Sequence, residues 1–106
     1  MKILNFGSLN IDKVYKVKHF VRPGETIFSE EYQCFPGGKG LNQSIAAARA
    51  GGTVSHAGKI GGDGTVLTDI LRKSGVDTDF VTVGDGPSGH AVIQVDPSGQ
   101  NCILLF

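Results

Sequence analysis

A glycine-rich run that leads straight into an alanine-rich segment constrains the fold of this chain more than any other feature. The run is Gly37-Gly38-Lys39-Gly40-Leu41-Asn42-Gln43-Ser44, and residues 45–50 follow it. Glycine lets a ligand approach the backbone closely, and the first turn of a helix offers unpaired N–H groups at the positive end of the helix dipole. The pattern therefore predicts a turn that starts a helix and can receive an anion or a hydroxyl group. The alternative is a glycine-rich connection that only changes the direction of the chain.

Two familiar glycine motifs do not fit this run. A Walker-type phosphate loop needs a glycine five residues before the Gly-Lys pair and a Ser or Thr after the lysine, but those positions hold Gln33 and Gly40. The dinucleotide fingerprint Gly-x-Gly-x-x-Gly is also absent, both here and at the second glycine cluster, Gly61-Gly62-Asp63-Gly64. Any ligand of the run is therefore bound in another geometry.

Charge and composition favour small molecules or other protein chains as partners. Ten basic and ten acidic residues cancel and form no block of like charge, which argues against nucleic-acid or membrane-surface binding. The opening Met1-Lys2-Ile3-Leu4-Asn5-Phe6-Gly7 is too short for a signal peptide or a membrane span and is typical of a strand. We therefore expect a cytoplasmic protein.

The cysteines and histidines predict neither a metal centre nor a nucleophilic active site. Cys34 and Cys102 lie far apart without a further ligand at metal-binding spacing, so we expect two buried thiols and no disulfide. His19, His56 and His90 are isolated from one another and from a paired nucleophile, and we expect structural or surface roles for them. No catalytic residue is predicted from these residue types.

Hydrophobic patterning predicts seven strands and two helices. The strands are expected at residues 2–6, 11–17, 26–35, 53–60, 80–83, 90–95 and 101–106, and the helices at residues 44–50 and from an Asp63 cap to about residue 73. Val66, Leu67, Ile70 and Leu71 should share the buried face of the second helix. Glycines after each helix, at Gly51 and Gly75, should end them.

The order of these elements predicts an α/β fold built from strand-helix-strand (βαβ) units with antiparallel additions. A Pro23-Gly24 turn would join residues 11–17 and 26–35 into a β-hairpin, and Asp96-Pro97-Ser98-Gly99 would join the last two strands. No linker, repeat or shift in composition divides the chain, so residues 1–106 are predicted to form a single domain.

Several segments, in their order along the chain, resemble one known family. They are Gly7-Ser8-Leu9-Asn10-Ile11-Asp12, Pro23-Gly24-Glu25-Thr26, the run at residues 37–44, Gly51 and Gly61. Together they resemble the first third of the ribokinase-like sugar kinases, the phosphofructokinase B type, and the resemblance covers essentially the whole chain. The form Gly-Gly-Lys-Gly-x-Asn-Gln is most similar to the ribokinase branch of that family.

The resemblance implies a set of sugar-binding residues: Asn10, Asp12, Gly38, Lys39 and Asn42. A carboxylate accepts from two neighbouring hydroxyls, an asparagine both donates and accepts, and a glycine exposes its backbone, so these residue types suit a pentose such as ribose. The alternative for Asn10 and Asp12 is local capping of a tight turn.

The resemblance also implies a lid. Residues 11–17 and 26–35, together with residues 90–95, are similar to the small sheet that covers the sugar in this family and often forms a dimer interface. The apolar Cys102-Ile103-Leu104-Leu105-Phe106 has no charged residue to keep it in water, and a truncated sheet would leave an open edge. We therefore expect a homo-oligomer, most simply a dimer.

In this family the catalytic aspartate and the ATP and Mg²⁺ sites lie beyond position 106. The resemblance therefore implies no catalytic residue and no cofactor site within these residues, and little or no phosphotransfer by them alone. Three readings remain open: a sugar-binding amino-terminal part of a carbohydrate kinase, a self-assembling non-catalytic module with a vestigial sugar pocket, and a kinase completed by oligomerisation.

Overall fold

Seven strands and two helices form in the computed structural model, which describes residues 1–106. In chain order they are β1 (Lys2–Phe6), β2 (Asn10–Lys16), β3 (Glu31–Gly37), α1 (Lys39–Arg49), β4 (Thr53–Ile60), α2 (Thr65–Lys73), β5 (Asp77–Val83), β6 (His90–Val95) and β7 (Asn101–Leu105). All nine predicted elements are present. The bounds of β1, β4 and β6 are those that the sequence predicts.

The chain divides into two compact units. The first contains Met1–Ile11 and Pro36–Gly89, and the second contains Asp12–Phe35 and His90–Phe106. The first unit therefore holds β1, α1, β4, α2 and β5, while the second holds β6, β7 and most of β2 and β3. The prediction that residues 1–106 form a single domain stays a prediction.

The first unit is a parallel sheet in the strand order β1-β4-β5. Phe6 is paired with Ala57, which is paired in turn with Phe80. Parallel neighbours need a crossover connection, and α2 supplies it between β4 and β5. The predicted βαβ arrangement is confirmed.

The core of the first unit lies between the two helices and the sheet. Its fully buried side chains include Leu41 of α1, Val54 of β4, and Leu67 and Leu71 of α2. Leu67 and Leu71 are four residues apart and therefore share one face of the helix. The prediction that Val66 lies on that face is wrong, since its side chain is exposed.

Both helices begin at positions that differ from the sequence predictions. Helix α1 starts at Lys39 rather than Ser44. Gly38 is its N-cap, and Gly40 in its first turn packs on the backbone of Gly7 and Ser8. Helix α2 starts at Thr65 after a Gly64 N-cap that makes no side-chain hydrogen bond. The predicted Asp63 cap is wrong, because Asp63 Oδ1 instead accepts a hydrogen bond from the Ser88 N–H at 2.8 Å.

The second unit contains strands of a four-stranded sheet in the order β3-β2-β6-β7. Strands β6 and β7 form the predicted antiparallel hairpin, with the Gly99 N–H donating to Asp96 O across the turn. Ring contact of Tyr15 with Tyr32 and the ion pair of Lys16 with Glu31 join β2 to β3. The predicted β-hairpin of β2 and β3 is present, but β3 starts at Glu31, five residues later than expected.

Cys34 and Cys102 are free and exposed, so the prediction that their thiols are buried is wrong. Cys34 Sγ lies 2.7 Å from the Tyr32 hydroxyl oxygen, and this hydrogen bond raises the pKa of Tyr32 to about 12.

No helix of the chain has the length and apolar character needed to cross a membrane. Ile103, Leu104, Leu105 and Phe106 are exposed in the single chain, and the expected cover by a second copy stays a prediction.

The loop between β2 and β3 contains a carboxylate with several donors. Glu25 Oε1 accepts from His19 Nε2 at 2.9 Å and from the Arg22 N–H at 3.1 Å. The hydrogen bond from His19, and then that from Arg22, lower the pKa of Glu25 from its usual 4.5. The ionised form of Glu25 is therefore favoured in the folded loop.

We predict a pH-dependent effect of Glu25→Gln. A lowered folded pKa gives stabilisation that is complete above the unfolded value and is lost as the pH falls through the folded value. The melting temperature of the variant should be below that of the unmodified chain at about pH 5.5, and the difference should shrink toward about pH 3. Glu30→Gln on the same loop is the control, and an equal response of the two variants would contradict the assignment.

Candidate functional site

The carboxyl edge of the parallel sheet is where a ligand site is expected in a fold of this kind. Strand β1 ends at Phe6 and β4 at Ile60, and the turn at residues 7–9 and the loop at residues 61–64 follow them at this edge. Ligands of open parallel sheets bind outside the carboxyl ends of the strands. The start of α1 packs against the turn at residues 7–9, which places the glycine-rich run at this edge.

A contact between two glycines fixes the start of α1 on the sheet. A Cβ atom on Gly40 would lie 2.5 Å from the Gly7 carbonyl carbon and 2.6 Å from the Ser8 nitrogen. A Cβ atom on Gly7 would lie 2.8 Å from the Gly40 Cα. All three distances are shorter than real Cβ atoms show, so the two backbones pack directly on each other. A side chain on either residue would push the helix away from the turn.

Gly38 makes the second close approach. Its φ of +106° is a conformation that side-chain-bearing residues rarely adopt, and a Cβ atom there would lie 2.5 Å from Ser8 O and 3.2 Å from the Asn10 nitrogen. The Gly38 carbonyl accepts the Asn42 N–H at 3.0 Å, and Ser8 O accepts the Leu41 N–H at 3.1 Å. Gly38 is thereby held against the start of β2.

Four of the five predicted sugar-binding residues belong to the first unit. Asn10 is half-buried at the first position of β2, Gly38 precedes α1, and Lys39 and Asn42 are exposed on its first turn. Gly38 contacts Asn10 through the backbone and holds the Asn42 N–H. Asp12 lies two residues after Asn10 on β2, where it is half-buried, and is assigned to the second unit. The sugar-binding roles of all five stay predictions.

The first turn of α1 can donate hydrogen bonds to a ligand. The amide groups of Lys39 and Gly40 have no acceptor one turn earlier in the helix, whereas those of Leu41 and Asn42 are taken by Ser8 and Gly38. Helix N-termini favour anions and polarised hydroxyl oxygens. The Lys39 amide and ammonium groups and the Asn42 carboxamide, on two exposed residues, form a donor-rich surface suited to a hydroxylated ligand, whereas Gly40 is buried.

The start of α1 also carries a polar cluster that the sequence did not predict, in which Ser44 and His56 are buried and Asn5 is half-buried. Asn5 Nδ2 donates to Gly40 O and to Ser44 Oγ, both at 2.9 Å. Ser44 Oγ lies 2.7 Å from His56 Nδ1, and His56 Nε2 lies 3.0 Å from Gly7 O. The sequence assigned His56 only a structural or surface role. A serine in an alanine-rich helix and a histidine in an apolar strand are the signals that could have identified the pair.

A second glycine cluster closes the carboxyl end of β4. The Gly61 N–H donates to Ser88 Oγ at 2.8 Å, and a Cβ atom on Gly64 would lie 2.6 Å from Ile60 Cβ. A cavity of about 300 Å³ opens beside this cluster and is lined by Lys59, Gly84 and residues 86–89, among others. No group of three or more His, Cys, Asp or Glu side chains is placed to hold a metal ion.

A larger cavity of about 420 Å³ lies in the second unit. Tyr15, Val17 and Val92 line it from the strands, and residues 25–29 line it from the loop before β3. None of the predicted sugar-binding residues contributes to its walls.

The comparisons with known proteins identify the family. The sequence model described as pfkB family carbohydrate kinase matches residues 1–106, and the chain belongs to this family. Solved structures of ribokinases superpose on it closely, which confirms the predicted ribokinase-like α/β fold.

Three relatives illustrate the similarity. Ribokinase from Haemophilus influenzae is 42% identical over 102 residues, covering 93% of this chain and 33% of that protein. Ribokinase from Cryptococcus neoformans var. grubii serotype A, solved in complex with ADP, is 44% identical with a TM-score of 0.94, covering 99% of this chain and 34% of that one. Arabidopsis thaliana ribokinase, complexed with ribose and ATP, is 32% identical with a TM-score of 0.89, covering 99% and 35%. The chain thus spans about a third of the length of these relatives.

We predict that Gly40→Ala destabilises the first unit. Alanine is the better helix former by about 1 kcal/mol, but overpacking against the Gly7–Ser8 backbone should outweigh this gain and cost about 1–3 kcal/mol net. Gly62→Ala is the control, because a Cβ atom there meets nothing within 4 Å. Urea denaturation measures both free energies of unfolding. Equal stability of Gly40→Ala and Gly62→Ala would contradict the close contact.

Proposed function

We propose that this chain forms the sugar-binding part of a ribokinase-like carbohydrate kinase and that its ligand is ribose or a closely similar pentose. The observation that carries the proposal is the donor-rich first turn of α1, which Gly38 and Gly40 fix against the end of β1. Membership of the carbohydrate kinase family gives the chemical class of the ligand. The similar Arabidopsis structure, which contains ribose, supports a pentose.

In this proposal each residue has a role set by its chemistry. Gly38 and the first-turn amides receive a sugar hydroxyl oxygen, while Lys39 donates a charge-assisted hydrogen bond. Asn42 and Asn10 can each donate to one hydroxyl and accept from another. Asp12 would accept from two neighbouring hydroxyls, an assignment that rests on the family resemblance.

Phosphoryl transfer is proposed to require residues outside this chain. The reaction needs a positioned nucleotide, neutralised phosphate charge and a base for the attacking hydroxyl, and loss of a general base alone costs about 100- to 10,000-fold. The family resemblance places those groups, with ATP and Mg²⁺, beyond position 106. Residues 1–106 are therefore expected to bind sugar without transferring phosphate. The cytoplasm is the proposed location of the protein.

One observation favours a second candidate function, a self-assembling non-catalytic module with a vestigial sugar pocket. The side chains of Ile103, Leu104, Leu105 and Phe106 are 54–73% exposed, and Leu4 and Phe6 of β1 are 65% and 83% exposed. Apolar surface of this kind favours association with another protein surface. A homodimer would cover it in either candidate, and light scattering would measure the mass.

Calorimetric titration with ribose, and separately with ATP, distinguishes the candidates. Heat of binding with ribose and none with ATP is the expected result. The absence of a binding heat with either ligand would favour the self-assembling module. Release of ADP that requires ribose and disappears in Asp12→Ala would show a kinase completed by oligomerisation and would contradict the proposed division of roles.

We further predict that Asn42→Ala weakens ribose binding by roughly tenfold, because a carboxamide that serves two hydroxyls is lost. Gln43→Ala is a matched control, since Gln43 is the neighbouring exposed carboxamide on the same helix. Both variants should unfold at nearly the same urea concentration as the unmodified chain. Equal ribose affinities of the two variants would remove Asn42 from the site.

A further inference from the structure

Asn5, Ser44 and His56 form a polar cluster between β1, α1 and β4 in which Ser44 and His56 are buried and Asn5 is half-buried. His56 is 0% exposed and Ser44 is 1% exposed, and both are polar. Buried polar side chains cost free energy unless each donor and acceptor is paired. This cluster pairs them in one chain of hydrogen bonds that ends on two backbone carbonyls, Gly7 O and Gly40 O.

The direction of each hydrogen bond follows from the groups at the ends. A carbonyl oxygen can only accept, so His56 Nε2 carries the proton that it donates to Gly7 O. In this tautomer Nδ1 accepts from the Ser44 hydroxyl, whose oxygen in turn accepts from Asn5 Nδ2. The second N–H of the same Asn5 group donates to Gly40 O. We call this chain of donors the Asn5–Ser44–His56 relay.

The two carbonyls at the ends of the relay belong to the two glycines that pack on each other. Gly7 O is part of the peptide unit whose carbon and Ser8 nitrogen face Gly40. His56 therefore fixes the plane of the peptide on the sheet side of the contact, and Asn5 fixes the carbonyl on the helix side. Gly58 leaves room for this arrangement, because a Cβ atom there would lie 3.2 Å from Gly7 O.

We propose that Asn5, Ser44 and His56 are positioning residues for the sugar-binding turn. The relay locks Gly7 against Gly40, and this contact sets where the Lys39 amide, the Asn42 side chain and the Ser8 carbonyl lie. The proposal deepens the proposed function and rests on it for its effect on sugar affinity. The positioning of the turn itself does not depend on which ligand is bound.

Three variants separate positioning from ordinary stabilisation. Ser44→Ala leaves buried His56 Nδ1 without its donor, and His56→Phe leaves Gly7 O without its donor, so each should destabilise the chain. Combining them puts apolar groups at both positions, and replacing both partners of a buried hydrogen bond is often nearly neutral. The double variant should therefore recover part of the stability that the sum of the two single losses predicts it to lose, although Gly7 O and Asn5 Nδ2 each remain without one partner.

Positioning predicts that ribose affinity does not recover with stability. Both single variants and the double variant should bind ribose about tenfold more weakly than the unmodified chain, because Gly7 O is no longer held in place. His56→Gln, whose side-chain N–H can still donate to Gly7 O, should retain more affinity than His56→Phe. If the double variant regains affinity together with stability, the relay is merely structural and the proposal is overturned.

Val76→Ala is the control for general destabilisation. Val76 is buried in the same core but precedes β5, at the opposite edge of the sheet from the Ser8 turn. It should lower the unfolding midpoint and leave ribose affinity unchanged. A tenfold loss of affinity in Val76→Ala would mean that any loss of core packing has the same effect, and this result would also overturn the proposal.

Hydrogen exchange of the Leu41 amide provides a readout that needs no ligand. This N–H donates to Ser8 O, so its protection reports whether the turn holds the start of α1. Protection should fall in the double variant and persist in Val76→Ala; unchanged protection in the double variant would overturn the proposal. If the unmodified chain does not bind ribose, the proposed function fails, and Leu41 exchange alone then decides the role of the relay.

Discussion

The contact between Gly7 and Gly40 is the constraint on which the rest of the site depends. Backbone packs on backbone there, and a Cβ atom on Gly40 would come within 2.5 Å of the Gly7 carbonyl carbon. This closeness lets Ser8 O accept from Leu41 and brings Gly38 against the start of β2. Lys39 and Asn42 are then exposed on the first turn of α1, while Gly40 is buried against the Gly7–Ser8 backbone. A site built in this way depends on the absence of side chains as much as on their presence.

The sequence predicted the order of the elements because the spacing of apolar residues marks the strands and helices, and glycines mark the ends of the helices. Strands β1, β4 and β6 have the predicted bounds, and Gly75 follows α2 with a φ of +86°. The start of α1 could not be placed from propensity, since glycine in a helix is locally unfavourable. Tertiary packing on the Gly7–Ser8 turn outweighs that preference. Asp63 was likewise predicted to cap α2, but its carboxylate accepts a hydrogen bond from the Ser88 N–H instead.

The glycine-rich run indicated a ligand-receiving helix start, but the sugar-binding roles of its residues stay predictions. The five residues Asn10, Asp12, Gly38, Lys39 and Asn42 were assigned from the family resemblance. The relay was not predictable, since Asn5, Ser44 and His56 lie on β1, α1 and β4 and only the fold brings them together. Asn5 and Ser44 are 39 positions apart in the sequence, yet Asn5 Nδ2 lies 2.9 Å from Ser44 Oγ in the fold.

A crystal structure of the chain with ribose would show whether the start of α1 binds the sugar. We expect the sugar on the first turn of α1, with a hydroxyl oxygen within hydrogen-bonding distance of the Asn42 side chain and another against the Gly38–Lys39 backbone. The Gly7–Gly40 contact should be unchanged. Ribose bound elsewhere, for example in the cavity lined by Tyr15, Val17 and Val92, with the first turn of α1 unoccupied, would contradict it.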